Sequence, residues 1–302
     1  MSKHGARPAR RHARRPGRHA AGRPRPRQQP QRPADAAGRH RAPGRQPGRA
    51  VVPAAAAVLL LSACGAPATG NASGTGTASG TAKPRPPEAT TFTTVRGAPA
   101  DPTPDGVTDG LVVHPTRPLP VLDRPGGRVI ATLPVNQIGG PTWVPVVEGS
   151  GTWRRVLLPS RPNRATGWIS AAGGALTSAH TPYTVQVSLA KRRLTLLRSG
   201  RAMGGWPVAI GGPRTPTPTG RTFVLATLAP AGGTPSPLVL PLGAHSATLD
   251  TFGGGPGTVA LHGWPDAAVF GKAVTHGCVR VPQDALRRLA RVPLGTLVFI
   301  TG

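Results

Sequence analysis

The chain has 302 residues, with 37 Lys and Arg against 10 Asp and Glu, a formal charge of +27, two cysteines and 4% aromatic residues. Residues 1–64 hold 15 of the basic residues and one acid, Asp35, so +14 of that charge belongs to the first fifth of the chain and +13 to the rest. The segment before Ala50 is Arg, Pro, Gly, Gln and Ala without apolar periodicity, which excludes a hydrophobic core there and predicts disorder. It carries no aromatic platform or base-reading motif, so its charge is no argument for nucleic-acid binding and no nucleic-acid partner is expected.

The apolar run from Ala50 to Ala63 is too short to span a bilayer as a helix and reads as the h-region of an export signal. Its end, Leu61-Ser62-Ala63-Cys64, resembles a bacterial lipobox, which implies a diacylglyceryl-modified Cys64 as the first residue after processing. Two acyl chains, at roughly 0.8 kcal/mol per buried methylene, hold a protein at a membrane far better than one. The pairs Arg10-Arg11 and Arg14-Arg15 lack the apolar residues that follow a twin-arginine motif, so the general secretory route is expected. The long basic arm is then either a cytoplasmic extension or lies upstream of the true start. The expected location is the extracytoplasmic face of the cell membrane, lipid-anchored and working in the wall.

Residues 65–110 are dominated by Ala, Thr, Gly, Ser and Pro and read as a linker. As a flexible coil, such a stretch averages roughly 35–40 Å end to end.

Across 111–175 come short β-prone runs: Leu119-Pro120-Val121-Leu122, Arg128 to Leu133, Trp143 to Val147, Trp153 to Leu158 and Gly167-Trp168-Ile169. Turn sequences such as Pro125-Gly126-Gly127 and Gly149-Ser150-Gly151 separate them. Gly151-Thr152-Trp153 with Val156, then Gly167-Trp168-Ile169, resembles the strand pattern of bacterial SH3-like domains. Such a barrel is either a wall-ligand module or a rigid spacer against the next domain. The tryptophan spacing favours the spacer, because rings so placed more often fill a barrel core.

The region 181–302 is also mostly β. Tyr183 to Leu189 and Arg193 to Leu197 alternate as half-buried strands do, and Phe223-Val224-Leu225, Thr258 to Leu261 and Thr296 to Ile300 add three more. One helix is predicted from Gln283 to Arg291, following Pro282. It turns Ala285, Leu286, Leu289 and Ala290 inward and Arg287, Arg288 and Arg291 outward. The fold class is therefore mostly β, with one or two short helices.

The chemistry concentrates in Thr275-His276-Gly277-Cys278-Val279-Arg280, where a thiol sits in a glycine-flanked polar turn, downstream of His262-Gly263. A cysteine becomes a useful nucleophile when an imidazole and backbone donors stand near it. Together with Gly211-Gly212 and the run Thr217 to Phe223, these motifs resemble, in order and spacing, the L,D-transpeptidase (YkuD-like) catalytic domain. The resemblance covers about 120 residues, with a β-sandwich or barrel expected over 181–302. The chain departs from the family pattern in Thr275, where serine is commoner, in Gln283, where Asn is, and in few aromatics between Ala229 and Asp250.

The resemblance implies a peptidoglycan enzyme that forms 3→3 cross-links through a Cys278 thioester, with carbapenems acylating the same thiol. Cys278 would be the nucleophile and His262 the base. The Gly263 carbonyl would orient the imidazole, and Gly277, with His276, would supply the oxyanion hole. Arg280, Thr275 and His245 would contact substrate; His180 is left at the surface. The same site could instead act as an L,D-carboxypeptidase, and the rival from another class is a non-catalytic wall-binding lipoprotein. No cofactor or metal is expected, since a zinc site of His262, His276 and Cys278 would lack paired-ligand spacing. A Cys64–Cys278 disulfide would leave the His-Gly pairs unexplained. Expected partners are peptidoglycan stem peptides, the membrane through Cys64 and anionic wall polymers, with the protein a monomer.

Overall fold

The computed structural model describes residues 85–232 and 234–302. The basic arm, the export signal with Cys64 and residues 65–84 lie outside the described residues. Nine strands come first: β1 (Leu111–Pro115), β2 (Leu119–Leu122), β3 (Val129–Leu133), β4 (Asn136–Gln137), β5 (Gly140–Pro141), β6 (Val144–Ser150), β7 (Trp153–Leu157), β8 (Thr166–Ser170) and β9 (Leu176–His180). All but the small β4–β5 pair form a seven-stranded sheet in the order β3-β2-β8-β7-β6-β1-β9. Its last strand pairs with β1 from Leu111↔His180 to Pro115↔Leu176, so this first sheet runs on to residue 180, five residues beyond the expected boundary.

The second region contains β10 (Tyr183–Ser188), β11 (Arg193–Arg198), β12 (Arg201–Pro207), β13 (Ile210–Gly211), β14 (Gly220–Phe223), β15 (Val239–His245), β16 (Thr258–Gly263), β17 (Ala273–Thr275), β18 (Val279–Val281), α1 (Gln283–Leu289) and β19 (Leu297–Thr301). A five-stranded sheet, β12-β11-β10-β19-β14, faces a three-stranded one, β15-β16-β18. Between them lies a core that includes Val185, Val187, Leu196, Leu240, Leu261, Val279, Leu286 and Ile300. The helix buries Ala285, Leu286 and Leu289 and turns its arginines out, as the sequence spacing predicts. Among the described residues no helix is long and apolar enough to cross a membrane.

Strand alternation in β19 ties the two regions together. Val298 and Ile300 enter the second core, whereas Leu297 and Phe299, with Phe223 and Leu225, join the core of the first sheet beside Val113, Leu133 and Ile169.

The expected linker is corrected over its described part. Residues 88–106 form a strap across both regions rather than a free coil. Ala89 and Val95 are fully buried. Backbone bonds run from Ala89 N–H to Thr132 O (2.7 Å), Val95 N–H to Arg161 O (2.9 Å) and Thr166 N–H to Pro99 O (2.8 Å). Asp101 then takes a two-pronged ion pair from Arg221 of β14, Nε to Oδ2 at 2.9 Å and Nη2 to Oδ1 at 2.6 Å. Both side chains are buried, and Arg155 Nη2 also donates to Ala100 O at 3.0 Å, so backbone pairing and arginine bonds, rather than an apolar stripe, hold a segment whose composition reads as loop.

Candidate active site

Cys278 lies in the turn between β17 and β18, and β18 runs parallel to β16 with Leu261 opposite Val279 and His262 opposite Arg280. Side chains two apart share a face of a strand. Cys278 and Arg280 therefore point the same way, and His262 stands opposite Arg280 on that face. The thiol meets the Ala260 backbone, and the Arg280 charge acts on both Cys278 and His262.

The imidazole is held in one tautomer. His262 Nδ1 is 2.9 Å from Gly263 O, and because a carbonyl only accepts, Nδ1 carries the proton and Nε2 is left with its lone pair. The Gly263 peptide is itself fixed, its N–H donating to Ser236 Oγ at 2.7 Å while that hydroxyl donates to Leu238 O. A β-carbon at Gly263 would come within 3.1 Å of both Leu286 and Ser236, so the backbone is closely packed at this α-carbon.

Two threonine hydroxyls shape the cysteine turn. Thr275 Oγ1 accepts from Gly277 N–H (3.1 Å) and donates to Cys278 O (2.6 Å). Thr217 Oγ1 accepts from Gly211 N–H (2.9 Å) and donates to Gly277 O (2.8 Å). Gly277 has φ +116°, a conformation a β-carbon disfavours.

These bonds correct two expectations. Thr275 is buried and braces the turn from inside instead of facing substrate. The Gly277 N–H is directed at Thr275 Oγ1 and is not a free oxyanion donor.

His245 is also corrected. It is fully buried, with Nε2 2.8 Å from Thr91 O in the strap, too deep to meet a substrate. Burial lowers its pKa below 6.5, opposed by the Thr91 carbonyl and aided by the Arg161 charge.

Electrostatics at the pair follow from desolvation. Burial lowers the His262 pKa below 6.5; the Gly263 carbonyl opposes this and the Arg280 charge adds to it. Burial raises the Cys278 thiol above 9.0, with the Ala260 backbone and Arg280 pulling it back in part. The resting pair is thus a neutral thiol beside a neutral imidazole. The thiol is free. Among the described residues no group of three or more His, Cys, Asp or Glu side chains could hold a metal ion.

Around the pair stand residues the sequence reading passed over. Trp264 lies under the Arg280 guanidinium, 3.5 Å from ring centroid to Cζ, and meets His262 edge-on at 6.2 Å. Phe252, exposed in the β15–β16 connection, sits 5.2 Å from the exposed His276 ring. Trp264 follows His262-Gly263 directly and was the one signal available; Phe252 is isolated among glycines and gave none.

Comparison with known proteins adds an independent line. The family model described as the L,D-transpeptidase catalytic domain, YkuD, matches residues 182–300. The YkuD protein of Bacillus subtilis is 31% identical over 149 residues, covering 48% of this chain and 84% of that one. Its Bacillus licheniformis counterpart is 32% identical over 168 residues, covering 54% and 94%. Among solved structures, an L,D-transpeptidase from Mycobacterium smegmatis aligns with a TM-score of 0.36 at 17% identity, over 53% of this chain and 82% of that one. The catalytic domain of the E. faecium L,D-transpeptidase gives 0.32 at 20%, over 40% and 99%.

Proposed function

The chain belongs to the YkuD family of L,D-transpeptidases, and from that premise we propose that it joins peptidoglycan stems by 3→3 cross-links through a thioester on Cys278. The observation that carries this reading is the parallel pairing of β16 with β18, which sets His262, its Nε2 unprotonated, on one face with Cys278.

Cys278 Sγ attacks the carbonyl carbon of the third residue of a tetrapeptide stem while His262 Nε2 takes the thiol proton. Backbone N–H groups at the cysteine turn, Cys278 foremost with His276 beside it, meet the oxyanion. The tetrahedral species collapses with loss of the terminal D-Ala, whose amine receives the proton from His262. The side-chain amine of an acceptor stem's diamino acid then attacks the thioester and gives its proton to His262, which passes it to Cys278 Sγ as the carbon–sulfur bond breaks. Arg280, held over Trp264, presents its guanidinium at the rim, suited to a substrate carboxylate. Water in place of the amine would give the carboxypeptidase reaction, and a carbapenem would act as a donor that is not released.

Incubation of residues 65–302 with a disaccharide-tetrapeptide, read by mass spectrometry beside Cys278→Ala, tests this. A cross-linked dimer that depends on Cys278 supports transfer. Tripeptide alone would make the protein a carboxypeptidase, and no reaction by folded protein would favour the wall-binding alternative. Export and anchoring rest on the Leu61–Cys64 sequence; fatty-acid labelling of cells should mark the protein and be lost in Cys64→Ala.

A further inference from the structure

We propose that Arg161, on a loop of the first sheet, is a positioning residue for the active site, because it fixes the 246–257 loop that brings Phe252 to His276. The proposal rests on the transpeptidase reading for its kinetic consequence, though not for its structural one.

The 246–257 connection has little to hold itself. Four of its twelve residues are glycine and its middle is exposed, so it would pay a large conformational entropy to keep one shape. Its own bonds lie mostly within its first arm and at its roots: Ser246 N–H donates to Gly257 O at 2.8 Å, and Ser246 Oγ accepts from Thr248 N–H (3.2 Å) and Leu249 N–H (3.1 Å). The tip has a reciprocal Phe252–Gly255 pair, and among the described residues no internal bond joins Leu249 or Asp250 to Pro256.

Arg161 supplies what is missing. Its Nη1 donates to Ser246 O (3.1 Å), and its Nη2 faces Pro256 O (2.8 Å), Leu249 O (3.3 Å) and Asp250 O (3.5 Å). One planar cation thereby gathers carbonyls from both arms of the loop. Among the described ion pairs none involves Arg161, so the guanidinium serves carbonyls alone. Gly257 fits the same arrangement, since at φ +68° a β-carbon there would come 2.2 Å from Leu249 O and 3.2 Å from Arg161 Nη2.

The clasp is itself anchored. Arg161 N–H donates to Thr93 O and its carbonyl accepts from Val95 N–H, both at 2.9 Å. Two residues on, Asn163 brackets the root of the loop, donating to His245 O and accepting from His245 N–H, each at 2.8 Å. The other root, Thr258, meets Thr91 Oγ1 at 2.6 Å. Strap and first sheet thus converge on both ends of a loop whose tip reaches the residue two before Cys278. The first sheet acts on donor binding through this loop, without touching substrate.

Hydrogen exchange and steady-state kinetics on Arg161→Ala, Arg161→Lys and Phe252→Ala test the idea. Arg161→Ala should speed amide exchange in 249–257 by about tenfold or more, the loss expected of charge-assisted bonds, with exchange in β10, β11 and β19 unchanged. Its KM for the donor tetrapeptide should rise by about tenfold with kcat changed much less. Arg161→Lys should recover part of both effects, and Phe252→Ala should reproduce the KM rise with the roots of the loop still protected. Unchanged exchange in 249–257, or a KM equal to wild type alongside faster exchange, would overturn the proposal. Should Arg161→Ala not fold, Asn163→Ala removes the second anchor and is held to the same two outcomes. If the wild-type protein shows no turnover, the transpeptidase reading fails while the exchange result still decides whether Arg161 holds the loop.

Discussion

A neutral thiol–imidazole pair makes a demand on the pH dependence of Cys278. At ordinary values of 9.0 for the thiol and 6.5 for the imidazole, a thiolate–imidazolium pair would already be outnumbered about 300 to one by the neutral pair. Burial raises the thiol and lowers the imidazole, so both shifts widen that ratio. At pH 7 fewer than about one thiol in a hundred is then thiolate. Alkylation by iodoacetamide, followed by mass spectrometry of the intact protein, should therefore accelerate about tenfold per pH unit from pH 5 to 8, levelling only above 9. Arg280→Ala should slow it at any given pH, because the arginine charge favours the thiolate. Acyl transfer should lose rate on the acid side as pH falls through the depressed His262 value, below 6.5, where the imidazolium can no longer accept the thiol proton. An alkylation plateau between pH 5 and 7 would mean a preformed ion pair, and the reasoning from burial would be wrong.

Asp101→Ala would leave Arg221 charged and unpaired in the core, a loss of about 3–5 kcal/mol, or about 6–20 °C in Tm for a unit of this size; a thermal melt showing less than 2 °C would count against the clasp. His245 titrates below 6.5 in the folded protein and near 6.5 when unfolded, so the unfolded chain binds its proton more readily. Stability is then complete above 6.5 and declines as pH falls, by up to about 1.4 kcal/mol per pH unit from this residue; urea midpoints between pH 7 and 5 should fall less steeply in His245→Gln. Thr217→Val keeps the shape but strands Gly211 N–H and Gly277 O, each costing about 1–3 kcal/mol. Single-turnover acylation of that variant should be slower than wild type even where the protein remains folded.

The strands legible in the sequence are those whose two faces differ. Tyr183–Ser188 and Arg193–Arg198 pair over their whole length and bury Val185, Val187, Leu194 and Leu196 on one side, which is the alternation the sequence displays. The helix is legible for the same reason at its own period. The strap is illegible because its attachments are mostly main-chain bonds, which any residue type can make. Its one buried charged residue, Asp101, meets Arg221 across 120 positions, and His245 meets Thr91 across 154; no local pattern encodes such pairings.

At the site, Cys278 and His262 stand out in the sequence by their side-chain chemistry, Gly263, Gly277 and Thr275 only by their place in the family motifs, and Thr217's role in the turn, Trp264 and Phe252 not at all. Gly263 contributes a carbonyl, Gly277 a left-handed turn, and Thr275 and Thr217 are ordinary threonines until their hydroxyls are seen to bridge peptide groups. This division has a chemical reason. A neutral pair has no Coulombic attraction to draw thiol and base together, so placement has to come from the surrounding frame. The parallel ladder sets the relative position of His262 and Cys278, the Gly263 carbonyl sets the tautomer, and the two threonines set the turn. Such a site tolerates loss of surface charge far better than loss of a buried hydroxyl, which is why Thr217, a residue that touches no reacting atom, is expected to matter more to acylation than most of the arginines that dominate the composition.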